Sequence, residues 1–161
     1  MGKEIELKYR LTTFPADGIK RGDIEVLSRK TIYQTYLAYD GHQELRIRKL
    51  VQGDREEYTH TFKSGQGRSR DEVEYTISPE LYEQLQERLN RVPLIKIRTT
   101  LAVGNTVIEI DEYQQYDLQT VEVEFTSEKE AAAFTPPAWF GEEIGDEEEF
   151  RNKQLWLNLQ K

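Results

Sequence analysis

The chain has 161 residues, no cysteine, two histidines and a formal net charge of −8 at pH 7. This length suits one domain over residues 1–161 with a buried core. The lack of cysteine excludes disulfides and thiolate zinc sites, and the negative charge disfavours a general nucleic-acid-binding protein. No stretch approaches the ~20 apolar residues of a membrane span, and no apolar signal region is seen. We therefore expect a cytoplasmic protein without membrane or nucleic-acid partners.

The first half of the chain consists of short strand-like segments separated by turn residues. Strands are predicted over residues 3–11, 31–39, 43–51, 56–64 and 69–77. Asp40-Gly41 is a hairpin signal between the second and third of these, and the second is rich in β-branched and aromatic residues. Residues 14–30 are predicted to be irregular, with a short helix around 23–29.

The second half of the chain contains the predicted helices and three more strands. Ser78 and Pro79 suit the N-cap and the first position of a helix over 80–91. Strands are predicted over 94–103, 106–113 and 119–126, followed by a capping box at 127–130 for a short helix through 134. Eight mainly antiparallel strands with few helices favour a closed barrel, because closure removes the sheet edges.

Charged residues of one sign recur at alternate positions along these strands, and so share one face of each strand. The acidic pairs are Glu4/Glu6, Glu72/Glu74, Glu109/Asp111 and Glu122/Glu124, and the basic pairs are Arg46/Arg48 and Lys96/Arg98. For a single strand, this alternation is typical of a half-buried strand with its charges in water. Pairs of one sign repel each other, however, and the coherence of the set favours charged faces that point into the barrel. The helices and the aromatic tail would then cover the apolar faces.

Charges inside a barrel need partners, because a desolvated and unpaired charge is strongly destabilising. Carboxylates bind hard cations such as Mg²⁺, Mn²⁺ or Ca²⁺. Arginines fork onto phosphate oxygens, and lysines act as point charges. The pattern therefore predicts a wet tunnel that binds a polyanion together with divalent metal ions.

The same residues occur in the order seen in the CYTH superfamily, the triphosphate tunnel metalloenzymes, and the chain resembles its short bacterial branch. The matching positions are Glu4-x-Glu6-x-Lys8, Arg46-x-Arg48, Lys63, Glu72-x-Glu74, Lys96-x-Arg98, Glu109-x-Asp111, Glu122-x-Glu124, the segment Pro-Pro-Ala-Trp-Phe-Gly at 136–141, and Arg151-Asn152-Lys153. The resemblance implies a mainly β (α+β) fold, an eight-stranded antiparallel β-barrel that forms a charged tunnel with a few flanking helices. It also implies hydrolysis of a triphosphate with Mg²⁺ or Mn²⁺.

The resemblance further implies a role for each matching position. The metal ligands would be Glu4, Glu6, Glu122 and Glu124, and the phosphate-binding cations Lys8, Arg46, Arg48, Lys63 and Arg98. Catalysis is assigned to Lys96, Glu6 and Glu124, with Lys96 either binding phosphate or orienting the attacking water. The roles open to Glu72, Glu74, Glu109 and Asp111 are to hold basic side chains, to bind a second metal or to position water. Tyr36 suits either a hydrogen bond in the tunnel or a core or surface position, and either Lys153 or Arg151 matches a basic position found in relatives.

The substrate is predicted from the size of the chain. A short chain leaves little room for a base-binding element, which favours inorganic tripolyphosphate, cleaved to pyrophosphate and phosphate. Thiamine triphosphatase and class IV-type adenylate cyclase activity on the same scaffold stay open as alternatives. So does a catalytically silent module that binds polyphosphate or nucleotide. A homodimer is compatible with each of these.

Overall fold

The computed structural model describes residues 2–161, whose strands form one antiparallel sheet. The strands are β1 (Gly2–Leu11), β2 (Glu25–Asp40), β3 (Gln43–Gln52), β4 (Arg55–Ser64), β5 (Ser69–Thr76), β6 (Leu94–Val103), β7 (Thr106–Tyr113), β8 (Gln119–Phe125) and β9 (Phe140–Glu143). The helices are α1 (Ala16–Arg21), α2 (Pro79–Leu89), α3 (Glu128–Ala133) and α4 (Asn152–Leu159), with a 3₁₀ turn at Glu148–Phe150. None of the helices within residues 2–161 has the length and apolar character needed to cross a membrane.

The sheet closes on itself through its first strand. The strand order is β5-β4-β3-β2-β6-β7-β8-β1-β9, and the first half of β1 also pairs with β5, from Gly2 opposite Glu72 to Ile5 opposite Ser69. Eight strands thus form a closed barrel, while β9 continues along β1 beside Tyr9 and Leu11. The predicted eight-stranded antiparallel barrel is confirmed.

The apolar core of this protein lies on the outer face of the barrel. Leu7, Tyr9 and Leu11, which alternate with the charged residues of β1, are buried together with Val121 and Val123 of β8. Aromatic residues of the segment around α3 and β9 pack against this cluster, as do residues of α1. The predicted covering of the apolar faces by helices and the aromatic tail is therefore confirmed.

Two smaller clusters attach the remaining helices. Tyr82 of α2 packs on Tyr58 of β4, with their ring centroids 5.2 Å apart. Trp156 of α4 packs on Tyr36 of β2 at 5.5 Å, in a cluster that includes Leu94 at the start of β6. Because these partners of α4 lie near strand ends, α4 packs over one end of the barrel.

The prediction for residues 14–30 is wrong in two respects. A helix forms earlier than expected, at Ala16–Arg21, and ends at Gly22, whose φ of 86° suits glycine. The predicted helix around 23–29 is instead the start of β2, which pairs with β6 from Glu25 opposite Ala102 onward. Pairing with a strand distant in sequence therefore overrides the local preference. The segment β9 was also not predicted as a strand.

Candidate active site

A cavity of about 340 Å³ lies inside the barrel, and eight of the residues singled out from the sequence line it. They are Glu6, Lys8, Tyr36, Arg46, Lys63, Glu122, Arg151 and Lys153. The other predicted residues occupy inward-facing positions of the barrel but are not part of this cavity wall. They are Glu4, Arg48, Glu72, Glu74, Lys96, Arg98, Glu109, Asp111 and Glu124. The structure therefore separates residues that can meet a ligand in the cavity from residues that surround them.

Strand register determines which charges meet inside the barrel. Lys8 of β1 lies opposite Glu122 of β8, so unlike charges face each other there. Elsewhere the register opposes like charges, with Glu6 opposite Glu124 and Glu122 opposite Glu109. Directly opposed like charges destabilise a sheet unless a proton or a cation lies between them. The acidic side of the barrel, formed by β1, β7 and β8, is thus the place that needs a cation.

Lys63 of β4, on the cavity wall, forms ion pairs with two of the predicted acidic residues outside the wall. Its Nζ lies 2.7 Å from Glu4 Oε1 and 3.5 Å from Glu72 Oε2. Burial acts to raise the pKa of Glu4, but the charge of Lys63 and hydrogen bonds to Glu72 and Lys63 outweigh burial and lower it to about 2. Burial and the hydrogen bond to Glu4 raise the pKa of Glu72 to about 7. Between about pH 2 and pH 7, Glu4 is therefore ionised while Glu72 holds the proton that the two share.

A second carboxyl pair lies on the acidic side of the cavity. The pKa of Glu6 is raised well above its ordinary value, first by burial and second by the charge of Glu122, which lies within hydrogen-bonding reach. Burial opposes ionisation of Glu122 too, but Lys8 and Arg98 lower its pKa to about 2. Burial and the charges of Glu4 and other carboxylates also raise the pKa of Glu124. Glu6 therefore holds its proton more strongly than an ordinary glutamate, and a bound cation would displace that proton.

A buried basic network lies behind the cavity. Lys96 Nζ is 2.9 Å from Asp111 and fully buried, and Arg98 forks onto the same carboxylate at 2.7 and 2.9 Å. Arg98 also reaches Glu109 at 3.1 Å. Burial lowers the pKa of Lys96 to about 7 despite Asp111, whereas Arg98 and Lys96 overcome burial to lower the pKa of Asp111 below its usual range. Of the roles left open for Glu109 and Asp111, the geometry favours holding basic side chains.

The C-terminal segment supplies part of the wall. Lys8 Nζ donates to the Phe150 carbonyl oxygen at 2.8 Å, so this predicted phosphate-binding cation already has a main-chain partner. Arg151 and Lys153, the two alternatives for a single basic position, both line the cavity. Asn152 lies between them and accepts a hydrogen bond from the Tyr113 hydroxyl.

Several wall residues were missed by the sequence analysis. Arg70 of β5 lies 3.5 Å from Glu44 of β3, and its guanidinium also donates to the Gly65 and His42 carbonyl oxygens. Extending the alternation from Glu72 by two residues would have identified Arg70. Arg68 also lines the cavity, but it falls in a glycine-rich loop where alternation gives no information.

The donor set fits a divalent cation. Carboxylate oxygens are the ligands that Mg²⁺ and Mn²⁺ prefer, and the proton held by Glu6 beside Glu122 marks a place where positive charge is missing. Within residues 2–161, no group of three or more histidine and acidic residues is already arranged to hold a metal. The residues therefore suit a cation that takes further oxygen ligands from a bound anion.

Comparisons with known proteins show which proteins the chain is similar to. The family model of the CYTH domain matches residues 2–149. The chain is 37% identical over 161 residues to the inorganic triphosphatase of Nitrosomonas europaea, covering 97% of this chain and 98% of that protein. It is 30% identical over 159 residues to the inorganic triphosphatase of Acetivibrio thermocellus, covering 98% and 96% of the two proteins. A solved structure of an inorganic triphosphatase superposes with a TM-score of 0.64 at 34% identity, covering 98% of this chain and 96% of that chain.

Proposed function

Because the chain belongs to the CYTH domain family, we propose that it is a metal-dependent triphosphatase. Its substrate is inorganic tripolyphosphate, cleaved to pyrophosphate and phosphate inside the barrel. The observation that carries this proposal is the convergence of Lys8, Arg46 and Lys63 with Glu6 and Glu122 on one cavity. Cations that suit phosphate oxygens and carboxylates that suit a metal ion thus face the same space.

The basic residues act on the triphosphate from two positions, some from the cavity wall and others from behind it. Lys8, Arg46 and Lys63 line it and contact the phosphates directly, Lys8 by exchanging the Phe150 carbonyl for a phosphate oxygen. Arg48 and Arg98 lie behind the wall and add positive charge without contact. Neutralising the phosphate charge in a largely buried site lowers the barrier to nucleophilic attack on phosphorus.

The acidic residues bind Mg²⁺ or Mn²⁺. Glu6 and Glu122 are on the cavity wall, with Glu4 and Glu124 at the adjacent inward positions of the same two strands. When bound, the cation supplies charge neutralisation and activation of water. Lys96 is fully buried behind the wall, and we assign it to orienting the site through Asp111. Glu72 and Glu74 hold Lys63 and Thr61, which they contact in the barrel.

The test is phosphate release from tripolyphosphate, measured in parallel with ATP and thiamine triphosphate in Mg²⁺, Mn²⁺ or EDTA. We expect fast release from tripolyphosphate that requires the metal, and little from the other two. Formation of cyclic AMP from ATP would instead support adenylate cyclase activity. Binding of tripolyphosphate without turnover would support a non-catalytic polyphosphate-binding module. Cytoplasmic location and assembly as a homodimer stay predictions from the sequence.

A further inference from the structure

Gln34 is a fully buried residue inside the barrel, and its side-chain amide has no role in the function proposed above. It lies on β2 two residues before Tyr36 and directly opposite Arg48 of β3. Arg48 Nε donates to Gln34 Oε1 at 3.1 Å, and Gln34 Nε2 donates to the Tyr36 hydroxyl oxygen at 3.1 Å. The amide thus connects a buried arginine to a residue of the cavity wall.

The direction of these two hydrogen bonds is fixed by chemistry. A guanidinium nitrogen can only donate, so the Gln34 amide must turn its oxygen toward Arg48 and its NH₂ group toward Tyr36. Arg46, directly opposite Tyr36, likewise offers only donors to the phenol. The proton of the Tyr36 hydroxyl therefore needs an acceptor elsewhere. Among residues 2–161, no hydrogen bond has this hydroxyl as its donor, and Tyr36 lines the cavity.

Tyr36 also keeps its proton at working pH. Burial, and next the negative charge of Glu44, raise the pKa of its phenol to about 12, in spite of the neighbouring arginines. The hydroxyl is thus a donor with no hydrogen-bond acceptor among residues 2–161, next to a cavity lined by both basic and acidic side chains, Glu44 among them.

We propose that Gln34 is a positioning residue that holds the Arg48 guanidinium and turns the Tyr36 hydroxyl proton into the cavity, toward an oxygen of the bound phosphate chain. This inference rests on the proposed function, since it needs an anion in the cavity. It adds Gln34, an uncharged residue outside the alternating charge pattern, to the residues that prepare the site.

The carboxylate variant Gln34→Glu separates this role from simple packing. It has nearly the same shape and keeps an acceptor for Arg48, with a stronger, charge-assisted bond. It lacks the NH₂ donor, however, and its second oxygen accepts the Tyr36 proton. The hydroxyl then points away from the cavity while the fold keeps its contacts.

The experiment is a double-mutant cycle on tripolyphosphate hydrolysis with Mg²⁺, using wild type, Gln34→Glu, Tyr36→Phe and the double variant. We expect Tyr36→Phe to lower kcat/KM about tenfold when residue 34 is glutamine, as for one hydrogen bond to a charged group. When residue 34 is glutamate, we expect Tyr36→Phe to change kcat/KM less than about twofold. Equal losses in both backgrounds overturn the inference.

Two controls keep the result interpretable. Gln84→Glu makes the same charge change on the exposed surface of α2 and should leave kcat/KM and the cycle unaffected. Urea unfolding of all variants shows whether each is folded, and Gln34→Leu supplies a second variant that removes both hydrogen bonds. Loss of the coupling with Tyr36 in Gln34→Leu as well supports positioning by the amide, and retention of the coupling contradicts it.

The same cycle distinguishes failure of this inference from failure of the proposed function. If wild type shows no turnover, the four proteins are compared for tripolyphosphate binding in EDTA by calorimetry. A loss of affinity from Tyr36→Phe that depends on Gln34 then supports the inference without the enzymatic activity. A wild type that neither binds nor hydrolyses tripolyphosphate overturns both.

Discussion

At the scale of single residues, the carboxyl groups in the barrel differ in ionisation even where they are neighbours. The pKa of Glu4 is lowered to about 2 and that of Glu72 is raised to about 7, although the two carboxyl groups share a hydrogen bond. The pair Glu122 and Glu6 shows the same division. In the ligand-free protein, one carboxyl group of each pair therefore holds its proton to a higher pH than an ordinary glutamate, and a bound cation would replace that proton.

The raised pKa of Glu72 predicts a pH dependence of stability. Its pKa in the folded protein, about 7, exceeds the ordinary value of 4.5, so its stabilising contribution is complete below pH 4.5 and is lost as the pH rises through 7. In EDTA, we expect the free energy of unfolding to fall by about 1–2 kcal/mol between pH 5 and 8 because of this group, allowing for partial solvent screening. Glu72→Gln should lack that part of the decline. Urea unfolding at the two pH values measures it, and identical declines in the two proteins would contradict the assignment.

The carboxylates proposed to bind the metal give a second prediction, a loss of activity without a loss of stability. Glu6→Gln and Glu124→Gln each remove one charge from the acidic side of the barrel, and we expect kcat on tripolyphosphate with Mg²⁺ to fall roughly 10²-fold. Glu87→Gln, on the exposed face of α2, is the matched control and should turn over normally. Near-normal turnover of both interior variants would contradict the proposed metal site.

The sequence predicts the inward-facing charges well but not their depth in the barrel. Alternation identifies which face of each strand a residue occupies, and Lys8, Arg46 and Lys63 do line the cavity. Lys96 obeys the same alternation and yet lies behind the wall, because its position along the barrel depends on the register of β6 against its neighbours. Register between strands distant in sequence is not encoded in a single strand. Gln34 was missed because it carries no charge.

At the scale of secondary-structure elements, strands with clear alternation or many β-branched residues are predicted best, including β1, whose partners β5 and β8 are distant in sequence. The hairpin strands β3 to β5 and β6 to β7 lie within one or two residues of their predicted bounds. The start of β2 and the whole of β9, which pair with β6 and β1 across long stretches of chain, were missed. Local composition gives no signal for such pairings.

The docking of β9 on β1 depends on a glycine. A Cβ added at Gly141 would lie 2.6 Å from the Arg10 carbonyl oxygen and 3.1 Å from Thr12 Cγ2. The Arg10 carbonyl belongs to the main chain of β1 and cannot rotate away as a side chain could. We therefore expect Gly141→Ala to lower the free energy of unfolding by about 1–3 kcal/mol in urea titrations.

Gly145→Ala is the matched control for β9, because the nearest atom to its added Cβ is 3.9 Å away. That substitution should leave the urea midpoint close to the wild-type value. If the two variants unfold together, close packing of β9 against β1 is not what requires glycine at position 141.

At the scale of the whole molecule, the barrel has its charges inside and its apolar core outside, so its interior is incomplete without a ligand. Arg46 shows this most clearly, because its side chain is almost fully buried at the cavity wall and its Nε has no hydrogen-bond partner within residues 2–161. A buried, unpaired donor is destabilising until an acceptor arrives. Binding of a polyanion should therefore stabilise the folded protein itself.

This stabilisation predicts a specific thermal shift. In EDTA, where the metal-dependent hydrolysis is prevented, tripolyphosphate should raise Tm more than sodium chloride at matched ionic strength. The expected gain is about 2.7 kcal/mol at a concentration of 100 Kd. Arg46→Met should weaken tripolyphosphate binding about tenfold and reduce the shift, since Nε gains its acceptor only from the ligand. Arg55→Met, on an exposed residue at the start of β4, should keep the full shift. Equal shifts in the two variants, or an equal rise with sodium chloride, would mean that general screening of charge rather than binding in the cavity stabilises the barrel.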